Sequence, residues 1–590
     1  MIKRRLDAAA LTPTMNRFFS ISSTIKVIET AKTSDRWLLR LLLLTVFTVL
    51  AWFLLALNQT VSVPGISAGG DFTEGIIGTP RFVNPVLALT RADQDMTALT
   101  YSGLMKIGAD GTLVPDVAST IEVSEDGMTY TIALREDITF HDGEPLTSDD
   151  VLFTINLIQN DELKSPLRGN WSDVVVEAVD EYNLLITITE PYAPFIENFT
   201  IGILPAHIWR EIPIEQVPFS EFNTTPIGAG PYRVRNATFS RSGTVEEYQL
   251  AAASNYHQAL IEEINVRFYS NEAELLAAMN NADVDASAYL SATRANLLDA
   301  AEWQTAEHPL PRMFGLFFNQ NRSTVLRDAA VREALESAID RTALIDNALG
   351  GAGIPSPNAI ALTQTAIESG EATTQLDPAE RLAQARAILE AADWTQTDQG
   401  FWEKEIDDST VPLEVTVRTA NTPDLDAVLQ EITAAWRTLG VAIETEQYEQ
   451  TDLVQSVIRP REFSILLFGI DMSRSQDLYP FWHSSQQNDP GLNIAQYTNI
   501  SVDELLETAR TSQDAAERLE AQTAASEIIT AERPAILLFQ PSGLYVTRND
   551  INTTSVQNFG RDSDRFSSVA SWHTDTTSLW PFFRNQATEQ

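Results

Sequence analysis

The segment Leu134-Arg135-Glu136-Asp137-Ile138-Thr139-Phe140-His141-Asp142-Gly143-Glu144-Pro145-Leu146-Thr147-Ser148-Asp149-Asp150-Val151 compresses a strand end, a turn and a helix start into one short stretch. Thr129-Tyr130-Thr131-Ile132-Ala133-Leu134 reads as the strand, entered from the turn signal Asp126-Gly127. Gly143 and Pro145 supply the backbone freedom and the fixed φ that a tight turn requires. Thr147-Ser148-Asp149-Asp150 has capping-box spacing and leads into the apolar helix start Val151-Leu152-Phe153. Glycine, proline and capping residues here serve architecture, and no ligand is placed on them.

The same alternation extends outward. Leu184-Leu185-Ile186-Thr187-Ile188-Thr189 reads as a second strand, and Ser501-Val502-Asp503-Glu504 repeats the capping device ahead of Leu505-Leu506. Val331, Leu335 and Ile339 fall at i, i+4 and i+8, which predicts one helix near 328–345 with a single buried face. Short strands among amphipathic helices give an α/β (mixed α+β) chain. At 590 residues it is too long for one core.

The formal net charge of -41 repels phosphate backbones and excludes nucleic-acid binding. With no cysteine there is no disulfide, thiolate metal site, cysteine nucleophile or lipid-modified cysteine. Membrane attachment would need a protein segment, and Leu41 to Leu57 runs without a charge. With Trp37 to Leu39 added and Arg40 reaching to the interface, it spans about 30 Å as a helix. Residues 1–40 carry eight basic and three acidic groups, while the chain beyond is strongly acidic. That bias places the N-terminus in the cytoplasm and the bulk of the chain outside. The rival reading is a cleaved signal peptide, for which Ala56-Leu57-Asn58 is a poor small-x-small site.

Enzyme signatures are missing. The histidines His141, His207, His257, His308, His483 and His573 show no helical metal-ligand spacing. There is no Walker A loop and no G-x-S-x-G elbow. Gly228-Ala229-Gly230-Pro231-Tyr232 fails the dinucleotide fingerprint, because proline and tyrosine stand where a helix should open. It reads as a structural turn. No catalytic residue, cofactor or metal is expected.

An ordered series of landmarks carries a family resemblance. Asn84-Pro85 is followed by Tyr101-Ser102-Gly103-Leu104, Leu113-Val114-Pro115-Asp116-Val117-Ala118 and the segment from Leu134 to Val151. Ile203-Leu204-Pro205, Pro226 to Tyr232, Phe317-Phe318-Asn319 and Val331-Arg332-Glu333-Ala334-Leu335 come next. Phe481-Trp482-His483-Ser484-Ser485, Asn493 and Pro534-Ala535-Ile536 complete the series. The chain resembles the extracytoplasmic solute-binding proteins of ABC importers in the dipeptide/oligopeptide class (family 5).

The resemblance implies a periplasmic-binding-protein-like clamp of two lobes with an extra peripheral domain, preceded here by one N-terminal transmembrane helix. The expected parts are a cytoplasmic basic lead (1–36), the anchor (37–57) and a spacer (58–65). Lobe I is expected at 66–103, 188–320 and 541–590, peripheral domain II at 104–187, and lobe III at 321–540. Chain crossings near Asn319 and near residue 540 would form the hinge.

In peptide-binding relatives an aromatic-x-x-Asp motif pairs its aspartate with the ligand's ammonium. The matching residues are Phe468-Gly469-Ile470-Asp471, with phenylalanine where the family usually has tryptophan, and with Asp477-Leu478 where Asp-Pro often follows. Tyr479, Phe481 and Trp482 would supply apolar walls, Asn319 and Asn493 would hydrogen-bond the ligand backbone, and Arg312 could hold a carboxylate. The implied function is peptide capture and delivery to ABC permease subunits by a single-pass protein of the cell membrane. The alternatives are an oligosaccharide or other small-solute receptor of the same family, a ligand-binding sensor for a membrane signalling partner, and an extracytoplasmic hydrolase.

Overall fold

The computed structural model describes residues 33–61, 63–66, 69–254, 259–360, 376–472, 474–553, 559–574 and 576–579. The chain divides into two compact units, one of Met1–Ser67 with Asp575–Gln590 and one of Ala68–Thr574. Most of the expected basic lead, and His257, lie outside the described residues.

In the smaller unit a helix runs over Thr33–Val61, 29 residues. Val63–Ile66 pairs antiparallel with Thr576–Leu579. Residues 58–65 are therefore no loose spacer: the helix continues to Val61 and a strand follows. The 576–579 strand likewise belongs to this unit and not to lobe I. Leu41 to Leu44, Phe47, Leu50, Trp52, Phe53 and Leu54 are exposed along the helix. Among the described residues no helix is long and apolar enough to cross a membrane.

The larger unit is organised by a twelve-stranded sheet that two lobes share through one strand, Ala535–Arg548. Its first half pairs with Arg312–Phe318, which pairs in turn with Ile465–Asp471. Glu414–Ala420 and Ala442–Tyr448 extend this half in parallel. Its second half pairs with Trp303–Pro309 and Ala286–Ser287, followed by Asp71–Ile77, Glu263–Tyr269, Val245–Ala252 and Tyr232–Phe239.

Lobe III buries both faces of its sheet, and the period-2 pleat sorts the side chains between two cores. Leu316, Phe318, Ile465, Leu467, Ile536 and Leu538 face one core. Phe317, Leu466, Leu537 and Ala535 face the other. The expected helix near 328–345 is two helices, Ala329–Ser337 and Arg341–Leu349. Asp340 caps the second by accepting from the Ala343 amide, so its side chain ends the first run although Val331, Leu335 and Ile339 are all buried. The cap at 499–502 also differs: Asn499 accepts from the Ser501 and Val502 amides, two residues ahead of the expected serine.

The segment from Leu134 to Val151 folds as read. Thr129–Leu134 is a strand, Gly143 has positive φ, and Thr147 with Asp150 closes a capping box on the helix Ser148–Gln159. His141 then pins the glycine turn, its amide donating to the Gly228 carbonyl at 2.8 Å. A Cβ at Gly228 would collide with the Thr100 carbonyl oxygen, so only glycine fits. The four strands Ala118–Val123, Thr129–Leu134, Asn183–Thr187 and Val175–Ala178 form a separate sheet. It packs on lobe I through Tyr130, Trp171, Phe195 and Phe199, whose rings meet mostly edge-on or tilted.

The chain crosses between the sheet halves at Leu310-Pro311 and at Gln540-Pro541, and the two crossings are bonded to each other. The Leu310 amide donates to the Pro541 carbonyl at 3.0 Å, and Gln540 Nε2 donates to the Leu310 carbonyl at 2.9 Å. The first crossing therefore lies well before Asn319. Arg312–Phe318 is already a lobe III strand, and Asn319 ends it.

Candidate functional site

A cavity of about 300 Å³ lies between the lobes. The helix Arg91–Thr100 presents Arg91 and Gln94 to it, its N-terminus fixed by the reciprocal Thr90–Asp93 cap. The 3₁₀ segment Ala193–Thr200 adds Glu197 and Thr200. Lobe III contributes Arg312, Asp471 and Arg474, and the 560–564 segment adds Arg561, Asp562 and Asp564.

Charge of both signs is paired across this space. Asp471 and Arg312 are cross-strand neighbours, with Arg312 Nε 3.2 Å from Asp471 Oδ2. Arg91 Nε stands 3.1 Å from Asp562 Oδ2. Arg474 of lobe III pairs with Asp564 of lobe I, bridging the cleft. Asp564 is preset for this, since it accepts from the Gly560 and Arg561 amides at 2.7 and 2.9 Å. Burial pushes the Glu197 carboxyl up to about 7, against the opposing pull of Arg474, hydrogen bonds with Ser475, and Arg561.

A second interlobe contact lies at Tyr192, Asp477 and Arg510. Arg510 Nε donates to Asp477 Oδ2 at 2.9 Å, and the Tyr192 hydroxyl donates to the same oxygen at 3.3 Å. The guanidinium lies over the rings of both Tyr192 and Tyr479, 4.7 and 4.2 Å from their centroids. With Arg474 and Asp564 joined as well, the lobes touch at two places.

Of the residues expected in the site, only Asp471 and Arg312 line this cavity. Phe468 is half-buried and packs with the second lobe III core. Gly469 is structural, since an added Cβ would lie 2.7 Å from the Phe314 ring. Tyr479 stacks on His483 at 4.0 Å and sits at the Arg510 contact. Phe481 and Trp482 are buried in lobe III. Asn319 Nδ2 donates to the Arg461 carbonyl, and Asn493 Nδ2 donates to the His483 and Tyr497 carbonyls. Both amides are thus spent on backbone, which removes them from the ligand positions assigned to them. Arg91, Glu197, Arg474, Asp562 and Asp564 were not found in the sequence. Asp564 carried one local signal, its capping relation to Arg561. Among the described residues no group of three or more His, Asp or Glu could hold a metal ion.

The sequence model described as "Bacterial extracellular solute-binding proteins, family 5 Middle" matches residues 112–490. The oligopeptide-binding protein AppA of Bacillus subtilis is 24% identical over 527 residues, covering 85% of this chain and 93% of that protein. The structure of AppA in complex with a nonapeptide superposes with a TM-score of 0.63 and 20% identity, covering 86% of this chain and 99% of that one. NikZ from Campylobacter jejuni in complex with Ni(L-His) also gives a TM-score of 0.63, at 22% identity over 85% of this chain and 99% of its own. These neighbours have the same mixed α/β two-lobe fold.

Proposed function

The chain belongs to the bacterial extracellular solute-binding proteins of family 5, and on that premise we propose that it captures peptides between its lobes and delivers them to an ABC permease. The carrying observation is the set of ion pairs facing one cavity: Arg312–Asp471, Arg91–Asp562 and Arg474–Asp564. A zwitterion can replace such pairs charge for charge, its ammonium on Asp471 and its carboxylate on Arg312. A charge-assisted hydrogen bond contributes about 1.5–3 kcal/mol net, so each exchange keeps what it displaces. An uncharged oligosaccharide offers no such exchange and leaves these pairs closed on themselves.

Closure follows from the shared strand. The lobes turn about the bonded crossings at Leu310 and Gln540, and the contacts of Arg474 and Arg510 hold the closed form. The relatives named above are binding proteins, which agrees with a receptor and not an enzyme.

Although among the described residues no helix is long and apolar enough to cross a membrane, the uncharged run Leu41 to Leu57, with Leu41 to Leu44, Phe47 and Trp52 exposed, supports membrane attachment by this segment in this reading. Carbonate extraction of membranes tests it: the protein should stay in the pellet, and release into the supernatant would overturn the anchor. Peptide capture is tested by thermal unfolding of the full chain in detergent against di- to pentapeptides. A peptide at about 100 times its Kd should stabilise by about 2.7 kcal/mol. A response to sugars alone would replace the peptide reading.

A further inference from the structure

The two contacts between the lobes differ in what a ligand can do to them. Arg474 and Asp564 both line the charged cavity, so their pair is open to the exchange described above. Tyr192, Tyr479 and Arg510 line a separate space of about 450 Å³, at the seam where lobe I and the peripheral domain meet lobe III. No residue lines both spaces. A ligand in the charged cavity therefore leaves the seam contact intact.

Lobe III supplies most of the seam contact from its own residues. Asp477 is buried, accepting from Arg510 Nε at 2.9 Å and from the Tyr479 amide at 3.0 Å. Arg510 stands in the last turn of the helix Ile500–Thr511, its guanidinium over the Tyr479 ring. Gln522 of the helix Ala515–Glu532 donates to the Ser475 carbonyl at 3.2 Å and ties down the loop that leads to Asp477. Tyr192 alone comes from across the seam: its ring takes the guanidinium at 4.7 Å, and its hydroxyl donates to Asp477. The same two segments meet again beside the ligand cavity. Tyr192 precedes the 3₁₀ segment Ala193–Thr200, whose Glu197 lines that cavity and is hydrogen-bonded with Ser475, two residues before Asp477. Residues 192–197 and 475–477 are thus bonded at both ends, once at the seam and once at the cavity.

We propose that Tyr192 is a latch: seated on Arg510 and Asp477, it holds the lobes together from a place the ligand does not touch, and so sets ligand affinity as a positioning residue. The assignment rests on the peptide reading above. The receiving groups are fixed within lobe III, so little ordering is spent when the tyrosine arrives. A cation–π contact shielded from water, together with a hydrogen bond, is enough to change a dissociation constant by tenfold. Because the contact lies outside the cavity, it acts on every ligand alike.

Two measurements on the full chain in detergent test this. Calorimetry with Ala-Ala-Ala and Ala-Trp-Ala gives the affinities. Spin labels on Ser172→Cys and Thr511→Cys, exposed residues on the two sides of the seam, report its width. The chain has no cysteine of its own, so the labels go only there. Tyr192→Ala should weaken both peptides alike, by about tenfold or more, and lengthen the label separation. Tyr192→Phe keeps the ring and loses the hydroxyl, and should weaken them by no more than about fivefold. Thermal unfolding confirms that both variants are folded. Loss of one peptide only would make Tyr192 a ligand contact, and an unchanged separation or an unchanged Kd in Tyr192→Ala would make it merely structural; each result overturns the latch. If neither peptide binds the unaltered chain, the peptide reading falls by itself. The latch is then decided by the label separation without ligand, and equal separations in the unaltered chain and Tyr192→Ala overturn it.

Discussion

Arg312 and Asp471 stand directly opposite each other on neighbouring antiparallel strands, Nε to Oδ2 3.2 Å apart, at the mouth of the interlobe cavity. Each is the natural partner for one end of a zwitterion, and in this structure each occupies the other.

The pair should matter for binding and hardly at all for stability. With side chains 43% and 58% exposed, its worth to the fold is about 0–1 kcal/mol. Asp471→Asn is therefore expected to leave the unfolding midpoint within about 2 °C and to weaken peptide binding by about tenfold or more. Calorimetry and thermal unfolding on the same preparation separate the two effects.

Ligand affinity should rise as pH falls through neutrality. Glu197 is held up at about 7 beside Arg474 and Ser475 of lobe III, chiefly by burial. Opening exposes it and returns it toward the ordinary value of 4.5. The closed form thus takes up a proton, and the ionised carboxylate opposes closure most fully above pH 7. That opposition is relieved between pH 7 and about 4.5 and vanishes below, where both forms are protonated. Arg474 and Ser475 from lobe III, with Arg561, face the group and pull the other way without cancelling the shift. Kd measured at pH 8 and pH 5.5 should favour the lower pH, and Glu197→Gln should flatten the profile.

Lobe I depends on a buried charge cluster. Arg565 donates to Glu74 at 3.0 Å and to Asp95 at 2.6 Å, and all three are at most 2% exposed. Tyr545 and Tyr289 donate to the same carboxylates. Arg565→Met strands two carboxylates and should destabilise the protein by about 3–5 kcal/mol in denaturant unfolding.

The sheet core of lobe III is equally demanding. Leu467 is fully buried, so Leu467→Ala should cost about 2–5 kcal/mol, with no change in peptide affinity at temperatures where the variant is folded. Parallel denaturant and calorimetric titrations would read both quantities.

What the sequence revealed was local. The strand, turn and capped helix from Leu134 to Val151 use neighbours within a few residues, whereas the glycine turn at 228–232 is held by His141 and Thr100, distant in the chain. The break between Ser337 and Arg341 stayed hidden because Ile339 continues the buried pattern across it. The resemblance puts the first crossing near Asn319, which ends the strand Arg312–Phe318. Which sheet that strand joins is settled by pairing with Ile465–Asp471, far along the chain. Asn319 and Asn493 looked like ligand donors, but burial turned their amides to backbone carbonyls. The cleft's ion pairs were out of reach for the same reason: Arg91 meets Asp562, and Arg474 meets Asp564, only once both lobes exist. Asp471 alone combined a motif with a place on the wall of the interlobe cavity.

The most direct test of peptide capture compares one stabilising peptide with its N-acetylated form by calorimetry on the full chain, alongside Asp471→Asn. The account expects acetylation and the substitution each to weaken binding by about tenfold or more, and the two together to lose little more than either alone. Equal affinity for free and acetylated peptide, with Asp471→Asn unchanged, would contradict the exchange of Arg312 for a ligand ammonium on which the account rests.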